Sequence, residues 1–157
     1  NVAKYIMRDT SQQGAAYVAG LLHDIGVLVL AEVRTDFLDK AVRIARQDCR
    51  SLLEVEYELF GSSHSEVGAL LLSIWGVPDP IVKAVIRCHQ SLASPGDGLN
   101  LDSALHIANL LARETAGYHY TNGSQKLKID DLEELGVADR LDDWRRFSQN
   151  FAKSLAD

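Results

Sequence analysis

Five histidines carry most of the chemistry open to this chain: His23, His64, His89, His106 and His119. His23 stands beside Asp24 in "GLLHDIGVLVL", two ionisable groups in an otherwise apolar run. An imidazole nitrogen and a carboxylate oxygen at one helix end can be offered to a single cation, because both are good ligands for first-row metals. The same pair can equally be a buried polar group tied up by hydrogen bonds and holding nothing. His64 falls at a predicted helix N-terminus and His89 at a predicted helix C-terminus. Helix ends are where several helices can bring polar groups to one point, although either residue alone reads as a cap or a solvated imidazole.

Other chemistries find no support. The chain has no GxxxxGK[ST], GxGxxG or GxSxG, so phosphate cradles and nucleophile elbows are absent as motifs. "SPGDGLN" lacks the spacing of a calcium loop. Glu54, Glu56 and Glu58 fan out at their helical spacing, which predicts a solvated face with one inward member rather than an acid/base pair. Trp75 and Trp144 read as core or interface anchors. Arg145, Arg146 and Lys153 form a modest basic strip, read as surface solvation with partner docking as the alternative.

These residues must be positioned by helices. Apolar side chains recur mostly at helical spacing, which predicts an all-α domain. A first helix is expected from Gly14 to Leu22, continuing through His23 and Asp24 until Gly26 interrupts it. "VLVLAEV" is β-branched enough for a strand, but with no evident pairing partner it is read as a buried helix. "DFLDKAVRIARQ" and "SLLEVEYELFG" follow, the second stopped by Gly61. Ser63 and Glu66 have capping-box spacing, which starts a helix at His64 that Gly76 ends. Pro80 suits the first turn of "VPDPIVKAVIRCHQ". "SLASPGDGLN" and "GYHYTNGSQKLKIDD" are loops, "LDSALHIANLLARETA" is a helix, and "DDLEELGV" and "RLDDWRRFSQNFAKSLA" supply a short and a longer one.

The 157 residues are read as one domain, 46% apolar and 24% charged, as in ordinary globular proteins. A net charge of −6 and a pI near 5.3 argue against nucleic acid or anionic lipid as the main partner. Cys49 and Cys88 lack CxxC spacing and are expected as buried or half-buried thiols in a reducing cytosol. No uninterrupted apolar run reaches the roughly 18 residues of a membrane span. "NVAKYIMRDTSQQ" has no signal-peptide order, and its lack of an initiator Met suggests the cut edge of a longer polypeptide.

Between Ala16 and Ala112, the order "AGLLHDIG…FGSSHSEVGALLLSIWGVPDPIVKAVIRCHQ…ALHIANLLA" resembles the HDOD domain family, a bacterial branch related to the HD and HD-GYP phosphohydrolases. The resemblance rests on "F-G-x-x-H-x-x-x-G", "W-x-x-P" and the histidine of "IRCHQ", in the family's order. It implies an all-α, HD-like helical bundle whose usual N-terminal helices lie upstream of Asn1. It also implies a ligand series of His, then His-Asp, then a later Asp. The leading His is missing from "NVAKYIMRDTSQQ", and the later Asp aligns with Asn109. Val27 stands where HD-GYP enzymes carry the lysine of "HDIGK", and His89 is followed by "QSLASPGDGLN" rather than "HHE".

His23, Asp24, His64 and His89 thus remain as candidate ligands, with Asn109 at the position of a ligand Asp. No catalytic residue is assigned. No cofactor is established; a divalent Fe, Mn or Zn ion is the one such a set could take, and a purely hydrogen-bonded polar cluster is the competing reading. The resemblance implies a cytoplasmic signal-transduction module, a protein-interaction or regulatory output domain with protein partners in a signalling pathway and without strong catalysis. The alternative is a metal-dependent phosphohydrolase or phosphodiesterase.

Overall fold

The fold is seen in a computed structural model that describes residues 1–90, 98–116 and 127–155. Among these residues there is no strand, and helices follow one another closely: α1 (Val2–Ile6), α2 (Gln13–Leu22), α3 (Ile25–Val33), α4 (Thr35–Gln47), α5 (Leu52–Phe60), α6 (His64–Ile74), α7 (Asp79–Arg87), α8 (Leu101–Ala116), α9 (Ile129–Glu134) and α10 (Leu141–Ser154). The architecture is the all-α helical bundle that the apolar periodicity predicts. Most of the loop expected at "SLASPGDGLN" and most of "GYHYTNGSQKLKIDD", with His119, lie outside the described residues.

The main core is built on α8, which is buried from Leu101 to Leu111 except for Asp102. Ile6 of α1, Ala16 and Ala19 of α2, and the fully buried Trp144 of α10 close on it. Tyr5 stacks on Phe147 with ring centroids 3.7 Å apart, and its hydroxyl donates to Asp143 at 3.0 Å, tying α1 to α10. Smaller apolar clusters join α6 to α7 through Leu72 and Val85, and α4 to α5 through Ala45 and Val55.

A short helix, α1, precedes the one expected to come first; the latter is α2, which starts at Gln13, and it breaks differently from the expectation. It ends at Leu22, the interruption is His23–Asp24 itself, and Gly26 lies inside α3. The reason is a close helix crossing. A Cβ on Gly26 would stand 1.8 Å from the carbonyl oxygen of His64 and 2.7 Å from the backbone nitrogen of Gly68. Glycine is needed there for backbone approach, not for termination. A second departure follows. "VLVLAEV" is helical but only partly buried: Leu30 faces inward whereas Leu28 and Val33 are 66% and 68% exposed. α3 packs through one side, and the other has no neighbour among the described residues. Gln13–Val33 is also long and apolar enough to cross a membrane, with a mean hydropathy of 1.7 over 18 of its residues. The break at His23–Asp24 divides that stretch into two helices of the bundle.

Other end signals act as read. Ser63 accepts from the backbone N–H of Glu66, whose carboxylate accepts from Ser63 in turn, completing the capping box. Gly61 closes α5 at φ 73°. Of the two tryptophans read as core or interface anchors, Trp144 is buried in the core, and Trp75 lies 60% exposed at the end of α6, outside it. Arg145 is paired with Glu114 at 3.1 Å, which fits the solvated reading of the basic strip.

The cysteines divide. Cys88 is buried, and burial pushes its thiol up to about 12. Cys49, expected to be at least half-buried, is exposed and follows α4 at φ 53°. An aromatic disulfide reagent at neutral pH is therefore expected to label Cys49 in the folded protein and Cys88 only after denaturation. Rapid reaction of both thiols in the native state would contradict this packing.

Candidate metal centre

Three elements meet at one point. Asp24 comes from the α2–α3 break, His64 from the first turn of α6, and His89 from just beyond α7. The Gly26–Gly68 crossing presses α3 onto α6 and so holds Asp24 within reach of His64. His89 Nε2 lies 3.1 Å from His64 Nε2 and 3.4 Å from Asp24 Oδ1, and His64 Nε2 lies 4.0 Å from the same oxygen. A triangle with these sides has one point about 2.1 Å from all three corners. That is the bond length a first-row divalent ion requires from nitrogen and oxygen donors, about 2.0–2.2 Å. The residues present therefore fit a single ion. Among the described residues no other group of three such donors converges.

Each donor is held from behind. Glu56, with no exposed surface, accepts from His64 Nδ1 at 2.7 Å and from the His64 backbone N–H at 3.0 Å. The proton on Nδ1 leaves the His64 Nε2 lone pair facing the cluster. Asn109 of α8 donates from Nδ2 to His89 Nδ1 at 3.0 Å. His23 Nε2 lies 3.2 Å from Asp24 Oδ2, the other oxygen of the carboxylate that meets His64 and His89 through Oδ1. Of the candidate ligands, then, Asp24, His64 and His89 come together. His23 supports Asp24 from one side, and Asn109 supports His89 rather than joining the three.

The electrostatics follow from this placement. Burial works against a charge on Asp24, but hydrogen bonds from His23 and His89 hold its carboxyl well below the usual carboxylate range. Burial also works against a charged His23, and Asp24 outweighs it, so His23 is raised. Burial dominates at His89 and lowers it, with Asp24 offsetting only part. An ionised carboxylate beside an uncharged imidazole is the charge state that metal ligands need, whichever ring nitrogen holds the remaining proton.

Residues 1–91, more than half of the chain, match the HDOD domain. The chain belongs to the HDOD family. An uncharacterized protein of Treponema pallidum (strain Nichols) is 28% identical over 99 residues, 62% of this chain and 19% of that protein. The chain thus spans about a fifth of the relative's length. No solved structure matches. The HDOD match begins earlier than the motif-bearing stretch from Ala16 and ends before α8. It contains His23, Asp24, Glu56, His64 and His89, and leaves Asn109 outside.

Glu56 is the residue of the site that sequence reasoning missed. One inward glutamate was expected among Glu54, Glu56 and Glu58, without a role. The signal lay in the eight-residue interval from Glu56 to His64, which spans one helix end and a tight turn closed by Gly61. His106 was a candidate by type and is absent from the cluster. Its Nδ1–H donates to the Cys88 carbonyl at 2.9 Å, so it fixes the end of α7 next to His89.

Burial holds His106 below its ordinary value of 6.5, although the Cys88 carbonyl favours the proton. An unfolded chain takes up that proton near 6.5 and the folded one only at lower pH. The stability contributed is therefore full above about 6.5 and lost as pH falls through the interval below it. Urea midpoints of the wild type and His106→Gln are expected to converge from about pH 7.5 to pH 5. A constant difference would show that His106 titrates alike in both states.

Proposed function

We propose that this HDOD protein is a regulatory module of bacterial signal transduction, working in the cytoplasm through protein partners, with one divalent ion in place of a catalytic centre. The observation that carries the reading is the convergence of Asp24, His64 and His89 on one ion-sized point with a single carboxylate among them. A phosphohydrolase must hold an activated water against phosphorus and neutralise the charge that develops there, often with two metals about 3.5–4 Å apart. One carboxylate and two imidazoles serve one ion, and Val27 supplies no ammonium. When bound, the ion would act as a cross-link: Asp24, His64 and His89 tie α2, α3, α6 and α7 together at their ends. Support for partner binding comes from α6, where Leu70 and Ile74 share an exposed face next to Trp75. Apolar surface of this kind is what interfaces use.

A second reading, metal-dependent phosphodiester hydrolysis, is favoured by one feature. Arg113 lies one turn beyond Asn109 on α8; burial lowers it and the charge of Asp24 raises it, so a half-buried guanidinium sits within electrostatic range of the cluster. Elemental analysis of protein purified without chelators separates the readings of the cluster itself. One equivalent of Fe, Mn or Zn, lost in His64→Ala, is expected. Metal-free protein that takes up no ion on titration would leave only a hydrogen-bonded polar cluster.

A further inference from the structure

We propose that Asn109 is a positioning residue that selects the tautomer of His89 and thereby sets how tightly the cluster binds a metal ion; this rests on the single-ion reading above. The side chains form a directed chain of hydrogen bonds. Glu56 accepts from His64 Nδ1, so His64 Nε2 carries a lone pair. The Asn109 amide nitrogen can only donate, so His89 Nδ1 accepts at 3.0 Å and the His89 proton resides on Nε2. That proton points into the 3.1 Å gap to His64 Nε2 and toward Asp24 Oδ1. Two facing lone pairs at that distance would repel, and the proton removes the conflict.

The same proton stands where a cation would bind. Ligation by His89 Nε2 requires the proton on Nδ1 instead, and a carbonyl oxygen to receive it. Rotating the Asn109 amide by half a turn presents Oδ1 in place of Nδ2 at the same position. An asparagine therefore serves both states, as donor without metal and acceptor with it. A carboxylate at residue 109 could only accept, which would commit His89 to the metal-binding tautomer. The neutral amide lowers affinity by allowing the competing one. Asn109 is buried, which keeps water from replacing either bond.

Long-range proton–nitrogen correlation spectra of metal-free protein at about pH 8, where a histidine of ordinary acidity is neutral, read the tautomer directly. In the wild type His89 is expected to carry its proton on Nε2, and in Asn109→Asp on Nδ1. Zn²⁺ titration is expected to give about tenfold tighter binding in Asn109→Asp and about tenfold weaker binding in Asn109→Leu. Zn²⁺ loading of the wild type should move the His89 proton to Nδ1. Equal Zn²⁺ binding with an unchanged His89 tautomer in Asn109→Asp overturns the role of Asn109 alone. A changed tautomer with no Zn²⁺ binding by any variant overturns the single-ion reading and supports the tautomer role. Should Asn109→Asp fail to fold, the wild-type tautomer still decides: a proton on Nδ1 without metal overturns the proposal.

Discussion

Gly26→Ala is expected to cost on the order of 3 kcal/mol of folding stability and to disperse the Asp24–His64–His89 cluster in the same step. Alanine in a helix is intrinsically favoured over glycine by about 1 kcal/mol, so the sign is set by packing. The added methyl would stand 1.8 Å from the carbonyl oxygen of His64, a backbone atom that cannot rotate away. α3 must move off α6, and Asp24, two residues before the contact, moves with it. Gly68→Ala is the control. Its methyl would lie 3.0 Å from the Gly26 nitrogen and 3.1 Å from Ile25 Cγ2, so a smaller adjustment suffices. Urea denaturation followed by circular dichroism checks both. A Gly26→Ala protein as stable as its parent would mean that α3 and α6 do not cross at these residues.

Glu56→Ala carries the second largest expected effect, a loss of about 3 kcal/mol. Glu56 and His64 are both buried, and the carboxylate is the acceptor for two donors of one residue, the imidazole Nδ1–H and the backbone N–H. Alanine leaves both donors without a partner where water does not reach. The consequence for the site is separable from that for stability. Glu56→Gln keeps the shape and one acceptor oxygen, so it is expected to fold with a smaller loss. It no longer fixes the His64 tautomer as firmly, and metal affinity is expected to fall by about 10- to 100-fold. Calorimetric titration with Zn²⁺ reads the affinity and thermal unfolding the stability. Unchanged affinity in Glu56→Gln would show that His64 needs no orienting carboxylate.

Most of the fold was legible because it is written in local signals. The capping box of Ser63 and Glu66, the stop at Gly61 and Pro80 in the first turn of α7 each act within a few residues of where they stand. What the sequence hides is long-range contact. Gly26 reads as a breaker because a glycine required for helix crossing looks the same as one that ends a helix. The exposed side of α3 is hidden likewise, since "VLVLAEV" is apolar except for Glu32 and its neighbours decide which apolar side chains are covered. In the site, residue types and the family resemblance together nominated His23, Asp24, His64 and His89 as ligands, with Asn109 at the position of a ligand Asp. They could not assign His23 and Asn109 to supporting positions, which depends on which nitrogen or oxygen of a ligand each one meets. Glu56 escaped because its partner lies across a turn and on another helix.

The central claim is that the cluster holds an ion without doing hydrolytic chemistry, and turnover of bis(4-nitrophenyl) phosphate by the metal-loaded protein tests it most directly. The expected result is one bound equivalent of metal and no hydrolysis above that of metal-free protein. Steady turnover by the wild type that disappears in Asp24→Asn would contradict the account and make this HDOD protein an enzyme.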